Sequence, residues 1–306
     1  MDLRVEFAGL VLKNPIITAS GTFGFGLEFS SFGDLKRLGG IVVKGLSLKP
    51  REGNAMPRIV ETSCGMLNAI GIQNPGVEAF LKDKLPLLPW RETAIIANLY
   101  ACSVEEFGEL AGVLSGEEGV AALEVNVSCP NVTHGGAAFG QDPAQITKVT
   151  EAVKKRCGNK PIIVKLSPNV TDIAVCARAA EAGGADALSL INTLLGMAVD
   201  IKTRKPVLAN VVGGLSGPAI KPVALRCVYQ ACRAVGIPVV GIGGIASAED
   251  ALEFITVGAT AVEVGTANFL RPDQSFRIID DLPRAMLKAR AADMAELRGS
   301  LVLPGQ

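Results

Sequence analysis

The segment Pro238-Val239-Val240-Gly241-Ile242-Gly243-Gly244-Ile245-Ala246-Ser247 separates two architectures. A β-branched apolar run meets paired glycines and then a serine, which spells strand, tight turn and helix N-cap. Gly241 to Ala246 matches the G-x-G-x-x-A dinucleotide pattern, and Glu263 lies 22 residues after Gly241. A doubly wound nucleotide fold opens with such a unit, however, and only 65 residues follow Gly241 here. The same glycines suit an α/β (β/α)8 barrel, the TIM barrel. There the loops after strands seven and eight build a phosphate site from main-chain N–H groups.

Outward from that segment the barrel reading holds. Eight β-branched runs recur at 15–20, 41–45, 94–99, 122–128, 161–166, 187–193, 238–243 and 261–265. Several are continuously apolar, the pattern of strands buried on both faces in a parallel sheet. Helical patterns separate them. Ser103 and Glu106 form a capping box before Phe107, and Asp142-Pro143 caps a helix closed by Gly158. Thr171 starts a helix followed by Gly183, Pro222 opens another, and Ser247 caps one ending at Gly258. Residues 46–93 and 194–237 are long intervals, read as insertions at the C-terminal mouth. The first twelve residues alternate around Ala8-Gly9 and predict an N-terminal β-hairpin. With no repeat or linker, residues 1–306 are expected to form a single domain.

Composition narrows the function. Lys plus Arg equals Asp plus Glu at 30 each, so the chain lacks the basic footprint of a nucleic-acid binder. No uncharged stretch reaches the ~18 apolar residues of a membrane helix. No signal peptide opens the chain, so a cytoplasmic location is expected. Seven cysteines without a C-x-x-C pair argue against a disulfide framework, a zinc site or a cluster held by this chain. A single histidine, His134, excludes a multi-His metal site, and no metal is expected.

Several polar residues fall where the active face should be. Lys44 and Lys165 end or lie within strands, although lysine is seldom buried unpaired. They indicate an anionic ligand, or a cofactor that becomes anionic; the alternative is a salt bridge to Glu124 or Glu263. Asn68, Asn98, Asn126, Asn131 and Asn192 offer amides that match a cyclic imide or amide edge, or else simply form turns. Gly243-Gly244 and Gly265-Thr266 close strands seven and eight, as a phosphate site or as turn glycines. Cys129 follows strand four and leads the glycine-rich loop 135–140, where a thiol could act as general base. The other six cysteines read as small core residues, and His134 as a loop residue.

Together these segments resemble the dihydroorotate dehydrogenase family over nearly the whole chain. The carriers are Thr18-Ala19-Ser20-Gly21-Thr22, Val43-Lys44-Gly45, Asn68-Ala69-Ile70-Gly71-Ile72-Gln73-Asn74-Pro75-Gly76 and Asn126-Val127-Ser128-Cys129-Pro130-Asn131. Ile191-Asn192-Thr193, Gly241-Ile242-Gly243-Gly244 and Gly265-Thr266 complete them. The 68–76 segment, the loop at 135–140 and Leu215-Ser216-Gly217-Pro218-Ala219-Ile220-Lys221-Pro222 are similar to the class 1B catalytic subunit.

The resemblance implies oxidation of (S)-dihydroorotate to orotate in pyrimidine biosynthesis, with FMN taking a hydride at N5 and Cys129 taking the C5 proton. It places Ser20, Gly21, Lys44, Gly45, Asn98, Asn126, Lys165, Ile191, Gly217, Gly243, Gly244, Gly265 and Thr266 at the FMN. It places Lys44, Asn68, Ala69, Ile70, Gly71, Ile72, Asn126, Asn131, Asn192 and Thr193 at the substrate. It also implies a homodimer within a heterotetramer, where a partner subunit carries FAD and a [2Fe-2S] cluster and passes electrons to NAD+. The rival readings are a uracil-type oxidoreductase resembling dihydropyrimidine dehydrogenase, the single-subunit fumarate-reducing class, and a cofactor-free Schiff-base barrel using Lys44 or Lys165.

Overall fold

The computed structural model describes residues 2–127 and 139–305. Among these, eight parallel strands close a barrel in chain order. They are β1 (Ile16–Thr18), β2 (Gly40–Val42), β3 (Ala94–Leu99), β4 (Ala122–Asn126), β5 (Ile162–Leu166), β6 (Ala187–Leu190), β7 (Val239–Ile242) and β8 (Ala261–Val264). Closure comes from β8 pairing with β1, with Glu263 opposite Ile17. Every residue of β4 to β8 is buried, as continuous apolar runs require. The long polar exceptions, Glu124, Lys165 and Glu263, turn into the barrel.

Helices cover the outside. They are α1 (Val104–Ser115), α2 (Pro143–Lys154), α3 (Ile173–Ala182), α4 (Lys221–Ala234), α5 (Ala248–Thr256) and α6 (Gln274–Ala289). Ser103, Asp142 and Ser247 accept hydrogen bonds from main-chain N–H groups at the N-termini of α1, α2 and α5. At α1 the box is stretched by one residue, because Glu106 accepts from the Cys102 N–H rather than from Ser103. The cap of α3 is Asp172, one residue past Thr171, and α2 ends at Lys154, before Gly158. Gly241 is needed where α5 crosses β7: a Cβ there would lie 2.4 Å from the Phe254 ring.

The N-terminal hairpin forms between Val5–Phe7 and Leu10–Leu12, with Phe7 and Leu12 sealing the core. Its turn lies beside residues preceding β4 and β5, at the N-terminal end of the barrel. At the opposite end the two insertions, independent in the sequence reading, combine. Leu194–Met197, Val212–Ser216, Gly65–Asn68 and Ile59–Thr62 form one four-stranded antiparallel sheet. Cys157, Cys176 and Cys227 are buried and Cys232 is half-buried, but Cys64 and Cys102 are exposed, contrary to their expected core role. No helix among the described residues is long and apolar enough to cross a membrane.

Candidate active site

Strand alternation sends Asn98, Glu124, Lys165, Ser189 and Glu263 into the barrel near its C-terminal end. There they form a buried polar layer. The Lys165 ammonium donates to Glu124 Oε1 at 3.3 Å and to Glu263 Oε2 at 3.1 Å. Glu124 also accepts from Asn98 Nδ2 at 2.5 Å and from Ser189 Oγ at 2.9 Å. None of these five side chains belongs to a residue more than 4% exposed.

The layer's electrostatics follow from crowding two acids around one ammonium. Burial alone would raise Glu124, but the Lys165 charge, the neighbouring Glu263 carboxyl and hydrogen bonds from Ser189 and Asn98 outweigh it and hold it below the ordinary carboxylate value. Burial pulls Lys165 down, yet Glu124 and Glu263 overcompensate and keep it charged. Glu263 goes the other way. Burial, then the charge of Glu124, push it well above its ordinary value.

Above this layer a cleft opens at the C-terminal ends of the strands. One lobe is lined by Ser20, Lys165, Ile191, Asn192, Thr193, Gly217, Gly243, Gly244, Gly265 and Thr266. The second lobe, about 400 Å³, is lined by Ser20, Gly21, Lys44, Gly45, Asn68, Ile70, Ile72, Asn98, Asn126, Asn192 and Thr193. Ser20, Asn192 and Thr193 border both lobes, so the two are continuous. Lys44 has left its strand: β2 ends at Val42, and the Lys44 N–H donates to the Gly24 carbonyl. Its ammonium sits beside Gly21, whose absent Cβ would lie 3.6 Å away. For Lys165, pairing and lining were alternatives in the sequence; the structure has both.

Two expected residues do not line the cleft. Ala69 follows the strand alternation away from it, into a small apolar cluster with Leu67 and Leu208, and its N–H donates to the Arg58 carbonyl. Gly71 serves the turn: its φ is +74°, and a Cβ would lie 2.6 Å from the Asn54 side chain. Cys129 and Asn131, like His134, lie outside the described residues. The sequence reading missed Ser216, which borders both lobes and whose Oγ accepts from the Thr266 hydroxyl at 2.7 Å. Its signal was available in Leu215-Ser216-Gly217-Pro218. Thr22 and Gln73, named only within family motifs, and Arg58 and Phe269, not named at all, also border the cleft.

Comparison with known proteins agrees with this geometry. Residues 2–286 match the family model described as dihydroorotate dehydrogenase. A protein of Maridesulfovibrio salexigens is 73% identical over 304 residues, covering 99% of this chain and 100% of that one. One of Solidesulfovibrio magneticus is 70% identical, covering 98% of each chain, and one of Pelobacter propionicus is 58% identical, again covering 98% of each. All three are named dihydroorotate dehydrogenase B (NAD(+)), catalytic subunit. Matched from its second residue to deep within α6, the chain belongs to the dihydroorotate dehydrogenase family.

Proposed function

We propose that the protein oxidises (S)-dihydroorotate to orotate in pyrimidine biosynthesis, working as a single FMN-binding barrel domain over residues 1–306. The observation that carries this reading is one cleft, in a chain of this family, bordered by two lysines and by Asn68, Asn98, Asn126 and Asn192. The residues fit a flavin. Asn98 Oδ1 is buried without a hydrogen-bond partner among the described residues, on a side chain that borders the cleft. Gly45 leaves room beside it, since a Cβ there would lie 2.9 Å from the same oxygen.

Bound FMN would supply the acceptor for the hydride leaving C6 of the substrate. Gly243, Gly244, Gly265 and Thr266 hold its phosphate through main-chain N–H groups. Lys165 would stabilise the negative charge that the reduced ring system gathers, and Ser20, Gly21, Lys44, Gly45, Asn98, Asn126, Ile191 and Gly217 would complete the contacts. Asn68, Asn126, Asn131, Asn192 and Thr193 orient the pyrimidine ring. Lys44 and the main chain at Ile70 and Ile72 hold the carboxylate. Family resemblance supports Cys129 as the base that removes the C5 proton, a role that requires a base within hydrogen-bond reach of that proton.

The wording "catalytic subunit" in the relatives' names supports a partner. In this reading the partner carries FAD and [2Fe-2S] and delivers electrons to NAD+, with a homodimer of barrels inside a cytoplasmic heterotetramer. The test is product analysis. With dihydroorotate and an artificial electron acceptor, the purified FMN-loaded chain should form orotate, while NAD+ alone should not serve as acceptor. Absence of orotate refutes the substrate, and efficient NAD+ reduction by the lone chain refutes the division between subunits.

A further inference from the structure

Glu124 and Glu263 lie at nearly equal distances from the Lys165 ammonium, 3.3 and 3.1 Å, but their surroundings differ. Glu124 collects three donors: Lys165 Nζ, Asn98 Nδ2 and Ser189 Oγ. Glu263 has one donor among the described residues, the Lys165 ammonium, and its carboxyl lies in the same buried layer as that of Glu124. An ionised carboxylate only accepts hydrogen bonds, so each ionised carboxyl of the layer needs donors of its own. Ionising both would also leave a net negative charge in a nearly dry layer. The carboxyl with three donors is the one stabilised as an anion. The layer is oriented as well: Lys165 borders the cleft, and neither glutamate does among the described residues.

We propose that the two glutamates play unlike parts toward the flavin: Glu124 is the ionic partner that keeps the Lys165 ammonium charged beneath the cleft, and Glu263 is a positioning residue that braces the pair without adding charge. This rests on the flavin reading of the cleft. The layer is then a neutral unit whose positive end points at the ring system. Charge gained by the flavin on reduction meets the ammonium first and one carboxylate, rather than two, behind it. The same direction appears in the elevated proton affinity of Glu263.

The proposal is tested on the full chain by two independent measurements. The first is the flavin midpoint potential together with the melting temperature, in Glu263→Gln and Glu124→Gln. Glu263→Gln keeps a neutral hydrogen-bonding group, so the potential should stay at the parent value and the melting temperature should not fall. Glu124→Gln forces the negative charge onto Glu263, away from Asn98 and Ser189, so the melting temperature should drop and the potential should move. Equal effects of the two substitutions, or a larger effect of Glu263→Gln, would overturn the assignment.

The second measurement is the infrared carbonyl stretch of a buried protonated carboxylic acid, recorded without flavin. It should be present in the parent chain and lost in Glu263→Gln. Its absence from the parent, or its survival in Glu263→Gln, would overturn the proposal even if Glu124→Gln does not fold. A chain that takes up no FMN would defeat the flavin reading while leaving this second measurement intact, so the two failures are distinguishable.

Discussion

The Thr266 hydroxyl donates to Ser216 Oγ at 2.7 Å, joining the loop after β8 to the last residue of a strand in the inserted sheet. Both residues border the cleft, so the bond fixes the inserted sheet against the proposed phosphate loop. Thr266→Val and Ser216→Ala should each weaken FMN binding about fivefold, the worth of one neutral hydrogen bond of about 1 kcal/mol. The double variant should lose less than the product of the two effects, because both remove the same bond. Equilibrium titration with FMN checks this; fully multiplicative losses would show that the bond does not couple the two loops.

Lys165→Ala should leave Glu124 buried without its cation, which costs about 3 kcal/mol or more at neutral pH. The sign of the pH dependence should reverse at this residue. In the parent, Glu124 is held below its ordinary value of 4.5, so its stabilisation is present above that value and is lost as pH falls through the folded-state value. Without the ammonium, burial dominates and lifts Glu124 above 4.5. The variant's deficit should therefore be smallest in acid and grow as pH rises. Urea denaturation at several pH values reads this directly, and a deficit that does not change with pH would contradict the ionic pairing.

Glycines in adjacent positions should separate packing from binding. Gly241→Ala would put a Cβ 2.4 Å from the Phe254 ring and should destabilise the barrel by about 1–3 kcal/mol through overpacking. Its folded fraction should still bind FMN with parent affinity. Gly244 has φ +73° and a Cβ there would lie 2.7 Å from the Lys221 side chain, in a turn bordering the cleft. Gly244→Ala should weaken FMN binding tenfold or more. Comparable affinities for the two variants would reduce Gly244 to a turn former.

Cys129→Ser should slow dihydroorotate oxidation at neutral pH while FMN stays bound. The serine hydroxyl is a far weaker acid than a thiol, whose unperturbed pKa is about 8.5. The parent rate should rise with pH as the thiolate forms, and the variant should lag throughout that range. Stopped-flow reduction rates across pH give the comparison, and identical profiles would remove Cys129 as the base.

The barrel was legible because its signal is local. Ala94–Leu99 begins and ends where its β-branched run does, and the other strands lose only a few residues at their ends. The inserted sheet was not legible. Its pairing is long-range, as in the Asn68 Nδ2 donation to Gly214 O across 146 residues, and its strands carry glycines and exposed apolar residues such as Ile59 and Met197. Of the candidate site residues, most border the cleft, because a barrel brings strand ends to one face. The Ala69 side chain lies away from the cleft for a reason intrinsic to extended chain, where adjacent side chains face opposite ways. Ser216 entered the sequence reading only within the segment starting at Leu215, and its bond to Thr266, a contact across 50 residues, shows its place at the cleft.

The most direct measurement of the central claim is a visible spectrum of the purified, FMN-loaded chain before and after dihydroorotate is added without oxygen. The account predicts a yellow protein whose flavin absorbance bleaches, and which recovers its colour once an electron acceptor is supplied. A chain that binds FMN but shows no change with dihydroorotate, or one that stays colourless after exposure to FMN, would contradict it.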